Sequence, residues 1–196
     1  MKRVCIPLCV LTLLFLCGCS SGEKGREPED TVLVEVLGID RVAGVYVLTA
    51  AGRDSAGETV MQTVEGAGVA EVFGTMPGAG EQWVSLTNVT HLLLGDGVEP
   101  GEVLTFILKE SGMSWRATVW YAPLAMSLMA ETEDGGTARL TVLKQAGAKT
   151  VSVLDALAEL ASDGVTQLPG LALRGGTLEI TGMLRYERSG KGVERT

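Results

Sequence analysis

The distribution of cysteine is the feature of this chain that most restricts how it can fold. All four cysteines, Cys5, Cys9, Cys17 and Cys19, lie in the first 19 of its 196 residues. A disulfide framework or a structural zinc site would need cysteines within the folded part of the chain. We therefore expect a domain without disulfides or cysteine-bound metal, which is stabilised by the burial of apolar side chains.

The first residues have the pattern of an export signal. Two basic residues precede an apolar run at 4–16, which is shorter than the roughly 20 residues of a membrane-spanning helix but has the length of a signal-peptide core. The run ends in "LCGC" (16–19), which resembles the bacterial lipobox. In a lipobox the cysteine carries a diacylglycerol and the leader is cleaved before it. We interpret Cys19 as a lipidation site and residues 1–18 as a lipoprotein signal peptide.

Residues 19–30 follow this leader and are rich in polar residues, with glycine, proline and no apolar face. Such a composition predicts a flexible tether between the lipid and a folded domain. Two or more acyl chains hold a protein stably on a membrane, whereas a single chain is marginal. Two other interpretations of the cysteines are an ordinary secretory leader cleaved elsewhere and a cytosolic Cys-X-Cys metal site.

The composition of the chain limits its partners and its domain count. The formal net charge is −8, and the basic residues form no cluster, so we expect no nucleic-acid partner. Hydrophobic residues make up 46% of the chain, enough for a packed core. We expect a single folded domain at 31–188, followed by a polar tail at 189–196.

Hydrophobic periodicity predicts both strands and helices within that domain. Predicted strands are 31–39, 45–51, 58–65, 83–94, 116–121 and 178–186, and predicted helices are 66–76, 99–111, 123–131 and 150–162. The first two strands are separated by a short glycine-containing turn and predict a hairpin. The second half of 83–94 is fully apolar and predicts a buried central strand. In 150–162, the apolar face is predicted to contain positions 151, 154, 157, 158 and 161.

The elements alternate without the regular spacing of strand–helix–strand units. This order predicts the α+β class, with a mixed β-sheet and helices packed on it.

Residues that could perform chemistry are few. His91 is the only histidine in the chain, and a single histidine beside an apolar run is more often structural than catalytic or metal-binding. The sequence contains no Gly-x-Ser-x-Gly nucleophile motif and no phosphate-binding loop ending in Gly-Lys-Ser/Thr. The Glu133–Asp134 pair falls in a predicted polar loop. We therefore expect no enzymatic activity, no cofactor and no metal site.

The order of several motifs over residues 34–188 resembles the N-terminal domain of the Ger(x)C spore germination lipoproteins. These are the C subunits of nutrient germinant receptors. The fragments that carry the resemblance are the lipobox ending at Cys19, "VLGID" (36–40) with "GVYVLT" (44–49), a glycine-led helix at 66–75, "THLLLGDGV" (90–98), "EVLTFILKESGMSWRATVWYA" (102–122) and "ITGMLRYERSGK" (180–191).

The sequence departs from the family pattern at two places. Thr90 stands where the family has a glycine before the histidine, and Lys109, Glu110 and Ser111 replace an Arg-Asp pair. Members of the family normally carry a further C-terminal part of comparable size.

The resemblance implies a membrane-anchored subunit rather than an enzyme. Its partners would be the integral-membrane A-type and B-type receptor subunits, and its place the outer face of the bacterial cell membrane, which in the spore is the inner membrane. Cys19 is then the one expected functional site, while Asp40, His91 and Arg116 are expected to serve the fold or an interface. The alternatives are a solute-binding lipoprotein of a transporter and, less favoured, an anchored envelope hydrolase.

Overall fold

The computed structural model describes residues 31–187 and 194–195. The ten strands are β1 (Thr31–Val42), β2 (Val45–Arg53), β3 (Thr59–Gly66), β4 (Trp83–Ser85), β5 (His91–Leu94), β6 (Thr118–Tyr121), β7 (Val151–Ser152), β8 (Val165–Arg174), β9 (Thr177–Glu187) and β10 (Glu194–Arg195). The helices are α1 (Val69–Thr75), α2 (Pro100–Lys109), α3 (Ala125–Ala130), α4 (Thr137–Gln145) and α5 (Val153–Ser162). The predicted signal peptide, Cys19 and the predicted tether lie outside the described residues.

All of these strands belong to one mixed sheet. Its order is β10-β9-β8-β6-β5-β1-β2-β3, with β4 paired to β1 and β7 paired to β6. The central strands β1, β5, β6 and β8 run parallel, whereas the hairpins β1–β2 and β8–β9 are antiparallel. A mixed sheet with packed helices confirms the predicted α+β class.

The first three strands form the predicted antiparallel run. Val42 pairs with Val45 across a two-residue turn, in which Ala43 and Gly44 have φ angles of 51° and 87°. Two positive φ angles in succession give a turn whose twist matches the twist of the flanking strands. The predicted hairpin is therefore confirmed, and β3 extends it as the third strand.

Helices cover both faces of the sheet and create two hydrophobic cores. The larger core contains Val72 of α1, Leu104 of α2 and Ala156 of α5. The smaller core contains Met129 of α3 and Leu140 of α4. Side chains of successive strand residues point to opposite faces. Accordingly, β5 and β6 send neighbouring residues into different cores, with Leu92, Leu94, Val119 and Tyr121 in the larger and Leu93 and Trp120 in the smaller.

The predicted strand at 83–94 is wrong in its extent, because the structure divides it into β4 and β5. The Val89 N–H donates to the Leu86 carbonyl at 3.4 Å, so the chain turns between the two strands. Leu86 and Val89 are buried, which explains why the apolar pattern continues through the turn. The second half is nevertheless the central strand expected, since β5 lies between β6 and β1.

The predicted apolar face of the last helix is wrong at positions 154, 158 and 161, which are exposed, whereas Val151 is buried and Leu157 packs partly against the larger core. Helix α5 buries Val153, Ala156 and Leu160, while Leu154 is exposed. The helix begins only after β7, where the Ser152 hydroxyl accepts a hydrogen bond from the Asp155 N–H at 3.1 Å. Apolar residues lie on the predicted face and on the buried face of this helix, so hydrophobic periodicity alone does not identify the buried face.

Besides the short strand β7, three elements have no counterpart in the sequence prediction. Helix α4 buries only Leu140 along its length and therefore lacks an apolar stripe. Strand β8 contains Pro169 and Gly170, two residues that weaken a strand pattern. Finally, Glu194–Arg195 pairs with β9 inside the segment predicted as a polar tail.

Candidate functional site

Polar and aromatic side chains collect where the parallel strands β1, β5 and β6 end. Asp40 lies near the end of β1, Asp96 is the second residue after β5, and Tyr121 is the last residue of β6. Because these strands are parallel, their carboxyl ends meet at one edge of the sheet. We call this region the carboxyl edge. In open sheets with parallel strands, such an edge is where ligands commonly bind.

Asp40 holds helix α3 onto this edge. Its carboxylate accepts hydrogen bonds from the Ala125 N–H at 2.9 Å and from the Met126 N–H at 2.8 Å. Leu124, which precedes the helix, provides no side-chain cap. Asp40 therefore satisfies two free N–H groups of the first turn from a strand about 85 residues earlier in the chain, as a capping residue would.

Burial dominates the electrostatics of Asp40. Only 4% of the residue is exposed, and this burial raises the pKa of its carboxyl group above the ordinary value. The two helix N–H groups act in the opposite direction, and the charge of Asp96 adds a smaller increase. With both carboxylate oxygens occupied by helix N–H groups, Asp40 serves as a positioning residue of the fold.

Two glycines permit these contacts. The Gly95 N–H donates to the Ile39 carbonyl at 2.8 Å, and a Cβ at Gly95 would overlap the Oδ1 atom of Asp40. In β1, a Cβ at Gly38 would lie 2.6 Å from Sδ of Met129 and 3.2 Å from the Ala125 Cβ. Glycine at these positions allows β5 and α3 to pack directly against the end of β1.

A pair of tyrosines completes the carboxyl edge. The Tyr121 hydroxyl donates to Oδ1 of Asp96, and the Tyr121 ring meets the Tyr186 ring edge-on at a centroid distance of 6.1 Å. The Tyr186 hydroxyl is buried and has no hydrogen-bond partner among the described residues. Burial, followed by the nearby Tyr121, Asp96 and Glu99, raises the pKa of Tyr186.

Tyr46 forms a second link at the same edge. Its hydroxyl donates to Oε2 of Glu102 at 2.8 Å, which joins β2 to the first turn of α2. The Arg41 guanidinium lies over the Tyr46 ring, 5.2 Å from its centroid. Burial and the bond to Glu102 raise the pKa of Tyr46 to about 12, so this hydroxyl keeps its proton and acts as a donor.

His91 lies at the start of β5, away from the carboxyl edge, and is 2% exposed. Trp120 Nε1 donates to His91 Nδ1 at 3.2 Å, so the imidazole proton belongs on Nε2, which lies 3.4 Å from the Thr141 hydroxyl in α4. Burial, with a smaller contribution from Lys144, lowers the pKa of His91 to about 4. A neutral, enclosed imidazole with both nitrogens in hydrogen bonds is a structural residue, as the sequence predicted.

The structure does not bring together Asp40, His91 and Arg116, the three positions expected to serve the fold or an interface. Asp40 is at the carboxyl edge, His91 is in the core, and Arg116 lies over the Trp115 ring at 4.7 Å near the opposite edge. Cys19 lies outside the described residues. Among residues 31–187, no group of three or more His, Cys, Asp or Glu side chains is arranged to hold a metal ion. No helix of the described part is long and apolar enough to cross a membrane.

Two features of the site were missed by sequence reasoning. The sequence prediction places Tyr186 in the last strand but gives no sign that its hydroxyl is buried beside Tyr121. The sequence also does not show that Gly95 touches Asp40, because the two residues come from different motifs. Only the parallel pairing of β1 with β5 brings them into contact.

Comparison with known proteins gives one likeness. No family model and no curated protein matches the chain. Among solved structures, the chain is similar to the crystal structure of the GerBC protein, with 13% sequence identity and a TM-score of 0.42. The match covers 80% of this chain and 50% of that one, so the chain spans about half the length of the solved protein. At this identity and TM-score the likeness transfers no family membership, function or residue role to this chain.

Proposed function

We propose that this chain is a lipid-anchored accessory subunit of a spore germinant receptor. A diacylglycerol on Cys19 would hold the α+β domain at the outer face of the bacterial cell membrane, which is the inner membrane of the spore. There the domain would contact the integral-membrane A-type and B-type subunits and support nutrient-triggered germination. Its contribution would be placement and protein contact rather than a reaction.

The observation that carries this proposal is that residues from separate family-like motifs contact one another in the fold. Asp40 of "VLGID" binds the N-terminus of α3, which follows the "VWYA" end of a distant motif. Gly95 of "THLLLGDGV" packs against Asp40, and Tyr46 of "GVYVLT" bonds to Glu102 at the start of "EVLTFIL".

These contacts give the motif order a physical meaning. Short fragments such as "GID" occur by chance in many chains, but fragments that touch each other form one structural unit. Their shared occurrence therefore supports a Ger(x)C-like domain more strongly than each fragment does alone. The lipobox in front of this unit supports attachment to a membrane.

The test is co-purification from spore membranes. The chain would carry a C-terminal tag and be extracted in mild detergent, and its partners would be identified by mass spectrometry. We expect two polytopic germination subunits with the wild type and their loss with Cys19→Ala. Ser20→Ala, which leaves the cysteine in place, is the matched control and should retain both partners.

Two outcomes would contradict the proposal. Recovery of a transporter permease with its ATP-binding subunit would favour the solute-binding lipoprotein. Recovery of no polytopic germination subunit with either the wild type or Ser20→Ala would show that the resemblance describes a fold without the associated role.

A further inference from the structure

The end of the sheet opposite the carboxyl edge is open and partly aromatic. We call it the amino edge, because the parallel strands begin there. One cavity of about 400 Å³ is lined by residues that include Phe73, Trp83 and Phe106. A second, of about 540 Å³, is lined by residues that include Leu33 and Ser114. Thr87 lines both, so the two cavities adjoin and form one continuous surface.

Large apolar side chains are exposed on and beside this surface. Leu33 is 46% exposed, Trp115 is 44% exposed and Leu108 is 43% exposed, while Trp83 is half-buried. Trp115 follows the cavity residue Ser114, and Leu108 lies in the last turn of α2. Trp83 and Trp115 are two of the three tryptophans in the whole chain, and the third, Trp120, is fully buried.

The predicted tether joins the domain at this edge. Thr31 is the first residue of β1 and pairs directly with Trp83. Twelve peptide links separate Cys19 from Thr31, and a flexible chain of that length has a root-mean-square span of about 20 Å. Asp40 at the carboxyl edge is nine residues beyond Thr31 in the same strand, and at about 3.3 Å per residue it lies about 30 Å farther from the tether.

We propose that the amino edge rests on the bilayer surface, with Trp83, Trp115 and Leu33 in the interfacial region of the lipid. This inference rests on the lipid anchor of the proposed function. Tryptophan is enriched at membrane interfaces, because its ring is apolar and its N–H finds polar partners among the headgroups. The tether delivers this edge, rather than the carboxyl edge, to the lipid.

The charges at the edge are of both signs. The chain as a whole has a formal charge of −8, which disfavours contact with anionic lipid. At the amino edge, however, Arg53 lines a cavity beside Glu35 and Asp54, and the Arg116 guanidinium lies over the Trp115 ring. Arg116 is a long basic side chain beside an interfacial tryptophan, and such side chains can extend to lipid phosphates.

The carboxyl edge also exposes apolar side chains, but they are aliphatic and lie at the far end of β1. Val42 is 51% exposed, Leu124 is 58% exposed and Met126 is 39% exposed. This patch provides a control position, because a probe at Leu124 would stay away from the bilayer if the amino edge faces it.

Quenching of tryptophan emission by brominated lipid tests the inference. The mature lipidated chain would be reconstituted into vesicles of phosphatidylcholine and phosphatidylglycerol, with or without dibrominated phosphatidylcholine. We expect the wild type to lose most of the emission from Trp83 and Trp115. The double variant Trp83→Phe/Trp115→Phe retains only Trp120 and should show almost no quenching. Adding Leu124→Trp to that variant should restore emission that bromine does not reduce.

The outcomes separate this inference from the anchor. Vesicle flotation without quenching of the wild type would overturn the inference and leave the proposed function standing. Quenching of the Leu124→Trp probe would have the same consequence. Failure of the wild type to float would overturn both the anchor and the inference. If the double variant folds poorly, quenching is measured instead on the single variant Trp115→Phe, whose folding is checked by circular dichroism.

Discussion

The two edges of the central sheet differ in how their side chains are used. At the carboxyl edge, Asp40, Gly95 and Tyr121 make close contacts within the domain. At the amino edge, Leu33 and Trp115 are nearly half exposed beside open cavities. The first edge therefore stabilises the fold, and the second is available for contact with something outside it. Substitutions at the two edges should separate these roles.

The largest loss of stability is expected for Gly95→Ala. The added Cβ would overlap Oδ1 of Asp40 and displace the carboxylate from α3, so overpacking and broken hydrogen bonds together should cost about 3 kcal/mol or more. Urea unfolding followed by circular dichroism measures this change. Gly68→Ala is the matched control, because a Cβ there meets nothing within 4 Å and its φ is −154°. Equal losses for the two variants would contradict the close contact at Gly95.

Protonation of His91 is expected to cause the next largest effect. Its folded pKa is lowered from 6.5 to about 4. Between these values the unfolded chain binds a proton that the folded chain does not, so stability falls as the pH falls through this window. The free energy of unfolding should fall by about 2 kcal/mol across this window.

The comparison variant for this effect is His91→Gln. The difference in the free energy of unfolding between wild type and variant should shrink from pH 7 to pH 4.5. Asp40, whose raised pKa acts in the opposite sense, is common to both chains and cancels. A constant difference across this pH range would show that His91 is not enclosed as described.

Asp40→Asn should cost about 2 kcal/mol, because a charged acceptor of two helix N–H groups is replaced by a neutral amide with one acceptor oxygen. Thermal unfolding measures the loss. Asp163→Asn, at an exposed position after α5, should change stability very little. If Asp40→Asn were equally silent, the carboxylate would not be holding α3.

Removing the two tyrosine hydroxyls should have different effects, with a loss of about 1 kcal/mol for Tyr121→Phe and no loss for Tyr186→Phe. Tyr121→Phe loses a hydrogen bond to Asp96 and should destabilise the domain. Tyr186→Phe removes a buried hydroxyl without a partner among the described residues and should be neutral or slightly stabilising. Urea unfolding of both variants distinguishes them, and a clear loss for Tyr186→Phe would indicate that its hydroxyl is hydrogen-bonded.

The smallest effect on stability is expected at the amino edge. Trp115→Ser replaces a side chain that is 44% exposed, so the free energy of unfolding should change by less than about 1 kcal/mol. The same variant should reduce quenching by brominated lipid. A large loss of stability would mean that the ring serves the fold rather than an external contact.

The sequence analysis was successful for elements whose apolar pattern is typical of only a strand or only a helix. The hairpin β1–β2 has two strand-forming runs separated by a short glycine-containing turn, and α2 begins at Pro100 and buries Val103, Leu104 and Ile107. The prediction failed for α4, which buries a single residue, and for β8, which is interrupted by Pro169 and Gly170.

For the candidate site residues, too, some properties could be predicted from the sequence and others depend on the tertiary structure. The sequence allowed us to expect a structural histidine, because His91 is alone and precedes three leucines. It did not reveal that Trp120 and Thr141 are its partners, since these contacts depend on how β6 and α4 pack around β5. The exposure of Trp115 likewise depends on the tertiary structure, because the sequence gives its residue type but not its neighbours.

The proposed lipid on Cys19 underlies both the proposed function and the proposed orientation of the domain, so it is the claim to test most directly. The chain would be expressed in the source bacterium with labelled palmitate, and the purified protein analysed by intact mass and N-terminal peptide mapping. We predict a mature chain that begins at Cys19 and carries the label, and no label in Cys19→Ala. A wild-type chain that is cleaved at another residue and carries no lipid would contradict the account.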